Sequence, residues 1–420
     1  MSFGVSLAVA VVAAWFFRAS ASADSTSKDS LPPQAVVVDP LTFNVIGGSS
    51  TLTFRQSAFT EFFNPTNTTA PSFQVFDPSF LSILGPSASI RAVASNPGFA
   101  FAHEAPVHVP DTDDIWFASN DGGPLGFSGL DANNQVSKIS LKDVDTAATA
   151  SGSATSALNV TVTPISLPET VQMTNGGTGL FHGKVILVNS GRGDRQPSIA
   201  LVDPKTHNTT IILDNFFGRQ FNSLNDVKIH RQTGKFYFTD VTYGFLNRFR
   251  PDPLLPNHVY LFDPATGSVR VVADGFDKPN GIALSQDGKI AYVTDTGSSG
   301  GFLGMNQTRP ATIYQFDVDL KTGHFLNRRT FAYVDTGIAD GIQVDTKGNV
   351  YSGCGDGVHV WNTAGTLIGK FFLGQLSANL VFAGKAPSSG GKAQNRLVIM
   401  AETAVFVAHI DAQGFDLGLP

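Results

Sequence analysis

Apolar residues in this chain gather in short runs of four to six or alternate with polar ones, and no window sustains the spacing of an amphipathic helix. Six such runs end in small or polar residues: IWFASN from Ile115, VILVNS from Val185, FYFTDV from Phe236, AYVTDT from Ala291, VYSGCG from Val350 and LVIMAE from Leu397. They start roughly 50 to 70 residues apart, the period of a repeat architecture. Several are entered through QTGK, QDGK or TKGN, where Gly supplies the positive φ of a tight hairpin. Each is followed by an alternating segment such as SIALVDP or HVYLFDPATG. Three or four antiparallel strands per unit, repeated six times, predict an all-β fold, a six-bladed β-propeller; a β-sandwich is the competing reading. QAVVVDP and SFQVFDP, upstream of the first unit, are expected to donate an outer strand to the last blade and so close the ring. The stretch DTAATASGSATSALNV reads as a mobile excursion between blades.

The innermost strands of a propeller converge on its axis, so their first residues share one neighbourhood. Here they open as EAPVHVP at Glu104, NGGTGLF at Asn175, NDVKIHR at Asn225, NGIALSQ at Asn280, DGIQVDT at Asp340 and ANLVFAG near Asn379. Each can be explained singly as a turn former. Together they bring a side-chain oxygen from every blade to one register, a costly arrangement unless something compensates it. A hard divalent cation would do so, and an all-oxygen donor set suits calcium better than zinc. Two carboxylates, Glu104 and Asp340, match a charge of +2, with Asn280 adding a neutral oxygen. The expectation is a central metal site holding one calcium ion.

Composition narrows the setting. A formal charge of −6 and no Lys/Arg cluster give no footprint for nucleic acid. Gly4–Phe17 is apolar but short for a membrane span, and Ala21 and Ala23 form a small-residue cleavage pattern. Residues 1–23 are therefore expected to be a secretory signal and 24–420 a single catalytic propeller domain, secreted, with no membrane contact after cleavage. Four sequons, at Asn67, Asn159, Asn208 and Asn306, fit glycosylation on that route. Cys354 is the sole cysteine, which excludes an intrachain disulfide and reads as a small core residue.

HEAPV, FGRQFNSLNDV, the segment KPNGIALSQDGK with AYVTDTG after it, and DGIQVDTKGNVYSGCGDGVHVWN closely resemble the blade-opening motifs of the SMP-30/gluconolactonase family, most nearly its secreted fungal lactonohydrolase-like branch. The resemblance spans about residues 100 to 385. It implies a six-bladed, calcium-dependent lactone hydrolase with Glu104, Asn225, Asn280 and Asp340 as metal ligands. Ala339 stands where the family usually has Pro. Register adds Asn175 and Asn379 as substrate or water contacts, and Tyr243 as a residue that could line the pocket. Attack by water on a bound lactone needs a proton acceptor, for which Asp340 is the first candidate and His103 the second.

Other motifs carry less. The GSSGG at Gly297 has the G-x-S-x-G form but lacks the strand, turn and helix of a nucleophile elbow. HEAPVH has its second His one residue too late for a zinc helix, and Pro106 opposes one. The expected function is hydrolysis of aldonic or related small lactones. Arylester or organophosphate hydrolysis at the same site, or a non-catalytic propeller with a structural ion, are the alternatives; the oligomeric state is open.

Overall fold

The computed structural model describes residues 31–42, 55, 57, 61–384 and 395–419. The leader-like stretch Gly4–Phe17 and its cleavage pattern lie outside them. Leu31–Pro420 is one compact unit.

Six antiparallel sheets are arranged as propeller blades, and all six apolar runs seen in the sequence are second strands. Blade I is formed by Glu104–Val109, Asp114–Ala118, Val136–Ser140 and Thr163–Pro164. Blades II, III and IV open with Thr174–Phe181, Leu224–His230 and Pro279–Leu284, each followed by three strands in chain order. Blades V and VI open with Ile342–Val344 and Asn379–Ala383.

The core is divided among the gaps between blades. Val107 and Trp116 of blade I pack with Val185 and Leu187 of blade II. Phe236 and Tyr260 of blade III meet Ile186 and Val188 of blade II. Equivalent clusters fill the III–IV, IV–V, V–VI and VI–I gaps. Each sheet is covered on both faces, so its second strand must be apolar at successive positions. The resulting near-continuous runs are the signal legible in the sequence.

Ring closure differs from expectation. Ser89–Ser95 is the outer strand of blade VI, antiparallel to Ala404–His409. QAVVVDP and SFQVFDP instead widen blade V: Ser72–Val75 pairs with Leu367–Phe372, and Ala35–Val37 pairs in parallel with Ser72–Val75. The reason is chain economy, because the strand closing blade VI must lead straight into Glu104–Val109 of blade I, and only the immediately preceding segment can. The earlier segment is anchored by Phe80, whose ring occupies the space a side chain at Gly369 would need.

The Ala/Thr/Ser-rich excursion is also more ordered than its composition suggests. Leu141–Ser151 is an α-helix, capped by the Ser140 side chain at the Asp143 N–H and ended by Gly152 in the left-handed conformation. Leu141 and Val144, three apart, bury its inner face. The chain beyond it returns to the sheet edge, with Leu158 and Val160 donating to the carbonyls of Ala92 and Val93.

Strand-initiating ends of the inner strands face one end of the central channel. The C-terminal segment crosses the other: the Thr346 N–H donates to Gln413, the His182 N–H to Leu419, and Leu419 donates to Leu180.

Candidate metal centre and its surroundings

The inner strands start irregularly, and the irregularity aims the site. Register slips follow Glu104 in blade I, Thr174 in blade II, Leu224 in blade III and Pro279 in blade IV. Ala105, just after Glu104, has φ 54. Such bulges turn one side chain out of strand alternation, here bringing Glu104, Asn175, Asn225 and Asn280 towards the axis. The hydroxyls at the ends of the second strands fix the next blade in position. Ser190 Oγ donates to the Leu224 carbonyl (2.9 Å), Thr239 Oγ1 to Asn280 (2.7 Å) and Thr294 Oγ1 to Asp340 (3.1 Å). Those are the polar endings noted in VNS, FTD and VTD. The N-G and D-G pairs have a steric cause: a side chain on Gly281 would strike the Asp340 carbonyl, and one on Gly341 would strike Asn379.

Glu104, Asn175, Asn225, Asn280, Asp340 and Asn379 are all buried. A ring nitrogen of His103 and carboxylate oxygens of Glu104 and Asp340 lie within 4.8 Å of one another. The Asn280 side chain lies beside Asp340 and favours its charged form. Asn225 Oδ1 and Asp340 Oδ1 are buried without a hydrogen-bond partner among the described residues. Two orphaned oxygens beside a second carboxylate form a donor set that fits a hard cation, because leaving them bare costs each its full desolvation. The electrostatics agree. Burial, then the charge of Asp340, raises the Glu104 carboxyl well above its ordinary range. Burial pushes Asp340 up to about 6, helped by Glu402 and opposed by His103.

The two amides added by register have partners of their own. Asn379 Nδ2 donates to Glu104 Oε2 (2.7 Å), while its Oδ1 accepts from the Leu380 N–H (2.8 Å). Asn379 thus orients a proposed ligand. Asn175 Nδ2 reaches the Asn225 carbonyl at 3.4 Å. Tyr243, on the short helix Tyr243–Leu246, has its hydroxyl 2.5 Å from Thr296 Oγ1. Burial raises its pKa, and the charge of Asp340 adds to the effect.

Glu402, Asn120 and the Asp226–Lys228 pair lie outside the set of residues expected from the sequence. Glu402, in the two-residue turn after Arg396–Ala401, has φ 58 and puts Oε1 2.6 Å from His103 Nδ1. Asn120 Nδ2 donates to Glu402 Oε2 (3.0 Å). Burial disfavours a charged imidazole, yet Glu402, followed by Glu104 and Asp340, raises His103 to about 10. The side chain remains 16% exposed. Nearby Asp121 is pushed up to about 7, chiefly by burial. Deeper in the channel, Lys228 Nζ holds both Asp226 oxygens at 3.0 Å, and Asp226 Oδ2 also accepts from the Ile282 N–H. The only available signal was the polar endings of IWFASN and LVIMAE, on strands assigned to the core.

His108 bonds Asp113 (2.9 Å) at the far end of its strand, so HEAPVH forms no zinc pair. The GSSGG stretch runs into a single 3-10 turn, Gly301–Leu303, not a helix. Cys354 is buried in a second strand, as expected. The asparagines of all four sequons are exposed. No helix among the described residues is long and apolar enough to cross a membrane.

A family model described as SMP-30/Gluconolactonase/LRE-like region matches residues 144–389. The lactonohydrolase oryH of Aspergillus oryzae is 29% identical over 376 residues, covering 74% of this chain and 75% of that protein. Among solved structures, a gluconolactonase from Xanthomonas campestris superposes with a TM-score of 0.59 at 22% identity, covering 80% of this chain and 94% of its own. A calcium-binding regucalcin from Agrobacterium tumefaciens superposes with a TM-score of 0.53 at 16% identity, covering 79% and 98%. At those identities the structural likenesses speak to the fold.

Proposed function

Because the chain belongs to the SMP-30/gluconolactonase/LRE-like family, we propose that it is a calcium-dependent lactonase whose active centre is the polar end of the channel. The observation that carries this is the pair of orphaned oxygens, Asn225 Oδ1 and Asp340 Oδ1, beside the buried Glu104 carboxylate. Its similarity to a lactonohydrolase, and the likeness of its fold to a gluconolactonase and a calcium-binding protein, support the choice of reaction and ion.

Glu104, Asn225, Asn280 and Asp340 would hold the ion. Calcium bound by such a set supplies Lewis-acid polarisation of a carbonyl oxygen. Asn379 keeps Glu104 in position. Asp340 and His103 are the two groups near enough to accept a proton. Asp340 is engaged as a ligand in this reading, which leaves His103. With Nδ1 fixed by Glu402, its Nε2 is the ring atom that would take a proton from water once bound calcium offsets the Glu104 and Asp340 charges that help hold the ring protonated. Water's oxygen bonds the lactone carbonyl carbon, the ring C–O bond breaks, and the departing alkoxide receives the proton back from Nε2. The product is the open hydroxy acid. Tyr243, tied to Thr296 above the ring, borders the entrance.

Secretion belongs to the same proposal, supported by the exposure of Asn67, Asn159, Asn208 and Asn306. The test is removal of calcium with a chelator and its return, following hydrolysis of a lactone panel by pH-stat and the fold by circular dichroism. Activity lost and then restored while the spectrum holds supports the lactonase. A folded, calcium-loaded protein inert towards every lactone makes it a binding module instead.

A further inference from the structure

The loops around the channel mouth are unequal. In blades V and VI the turn between second and third strands is two residues long, Gly355–Asp356 and Glu402–Thr403. In blades I to IV the same position carries loops 119–135, 190–197, 241–257 and 296–311. Those four interlock. Arg192 Nη1 donates to the Leu130 carbonyl (2.8 Å), and the Gly193 N–H to Phe249 (2.7 Å). Arg250 Nη1 donates to Arg195 (2.9 Å), and the Arg248 guanidinium lies 4.7 Å from the centre of the Phe302 ring.

Holding the loops together engages several of their polar side chains. Asn120 serves Glu402 and the Gly123 N–H; Ser128 bridges the Asn120 carbonyl and the Gly122 N–H. Asn222 is shared among Leu254, Leu255 and the backbone, and Tyr243 is committed to Thr296. The rim also presents large apolar side chains to solvent: Phe127 is 70% exposed, Leu130 55%, Leu254 62%, Phe302 57% and Leu303 81%. A group of large apolar side chains around one opening marks a binding surface.

From this we infer that the lactone taken by the site carries an apolar substituent, alkyl or aryl, that lies along this rim while its ring reaches the metal centre. The inference rests on the lactonase reading. A polyhydroxylated aldonolactone would need a donor or acceptor for each of its hydroxyls, since a site that discriminates polar groups must pair them, and Asn120, Ser128, Asn222 and Tyr243 are already engaged. An apolar tail needs none and removes exposed hydrocarbon from water. The rim is continuous with the catalytic end of the channel, so its occupant is the substrate's own tail.

The experiment compares kcat/KM for γ-butyrolactone, its 4-butyl and 4-octyl derivatives and glucono-1,5-lactone. Three proteins are used: wild type, the double variant Phe302→Ser/Leu303→Ser, and Leu320→Ser, an exposed control on a hairpin turn of blade IV away from the mouth. Wild type and control gain roughly two- to fourfold per added methylene until the tail outruns the rim. The double variant lowers the octyl-to-unsubstituted ratio at least tenfold. Glucono-1,5-lactone preferred, with no dependence on chain length, overturns the substrate class and leaves the lactonase standing. No hydrolysis of any lactone removes both.

Discussion

Two groups of buried acids in this molecule use the same side chains to opposite ends. In blade V, Lys370 Nζ lies 3.0 Å from both Asp335 Oδ1 and Asp356 Oδ2, and His359 Nε2 is 2.6 Å from Asp356 Oδ1. Burial works against these carboxylates too, but His359 and Lys370 outweigh it and hold both below the ordinary range. At the channel axis Glu104 and Asp340 have only His103 and two amides, and both are raised. What differs is the supply of counter-charge. Where the chain provides its own cations the acids brace the fold; where it withholds them, the carboxylates and amides form a donor set suited to an external cation. Burial alone identifies neither kind.

The largest effect expected from this contrast is on catalysis. Asp340→Asn removes one of the two ligand charges and should lower kcat/KM for lactone hydrolysis on the order of 10³-fold. Thermal unfolding without divalent ions should show the variant as stable as wild type or more so, because a like-charge repulsion has gone. A metal-free variant melting well below wild type would make Asp340 a structural acid like Asp356.

Lys370→Met should reverse that pattern. It leaves Asp356, fully buried, with His359 as its remaining cationic partner, and denaturant unfolding should record a loss of about 3–5 kcal/mol. Activity per folded molecule should stay close to wild type. A selective loss of activity without a loss of stability would mean that the two groups are not independent.

The smallest effect concerns Asp113, which bonds His108 and Arg396. Burial opposes its charge, but those partners keep its pKa at about 2. The group is charged more readily folded than unfolded, so its contribution is present above about pH 4 and lost as pH falls towards 2. Asp113→Asn should therefore flatten stability against pH over that window by roughly 2 kcal/mol, measured by urea unfolding at several pH values. An unchanged slope would show that Asp113 is not held as described.

Much of the fold could be read because the interblade clusters require an uninterrupted apolar second strand six times over. The oxygen ring was legible for a related reason: strand openings repeat in register, and Gly281 and Gly341 mark where neighbouring blades approach. The bulges that aim those residues have no comparable local signature. Glu402 could not be found from sequence because its partner His103 is 299 positions away and the two meet only when the ring closes. The helix Leu141–Ser151 was obscured by small and hydroxyl residues, although Ser140 before Leu141 and Asp143 is a serviceable capping signal. Closure was assigned to the wrong upstream segment because alternation identifies a strand without naming its neighbour.

The pairing of Ser89–Ser95 with Ala404–His409 has a consequence for the order in which the protein matures. During synthesis, the blade VI strand that receives Ser89–Ser95 leaves the ribosome only after all the strands of blades I to V. Until then Glu402 has not met His103, and Asn379, although already made, cannot be secured against Glu104. A nascent chain can assemble several complete blades and still have no working centre, so truncation ahead of Ala404–His409 yields an inactive product.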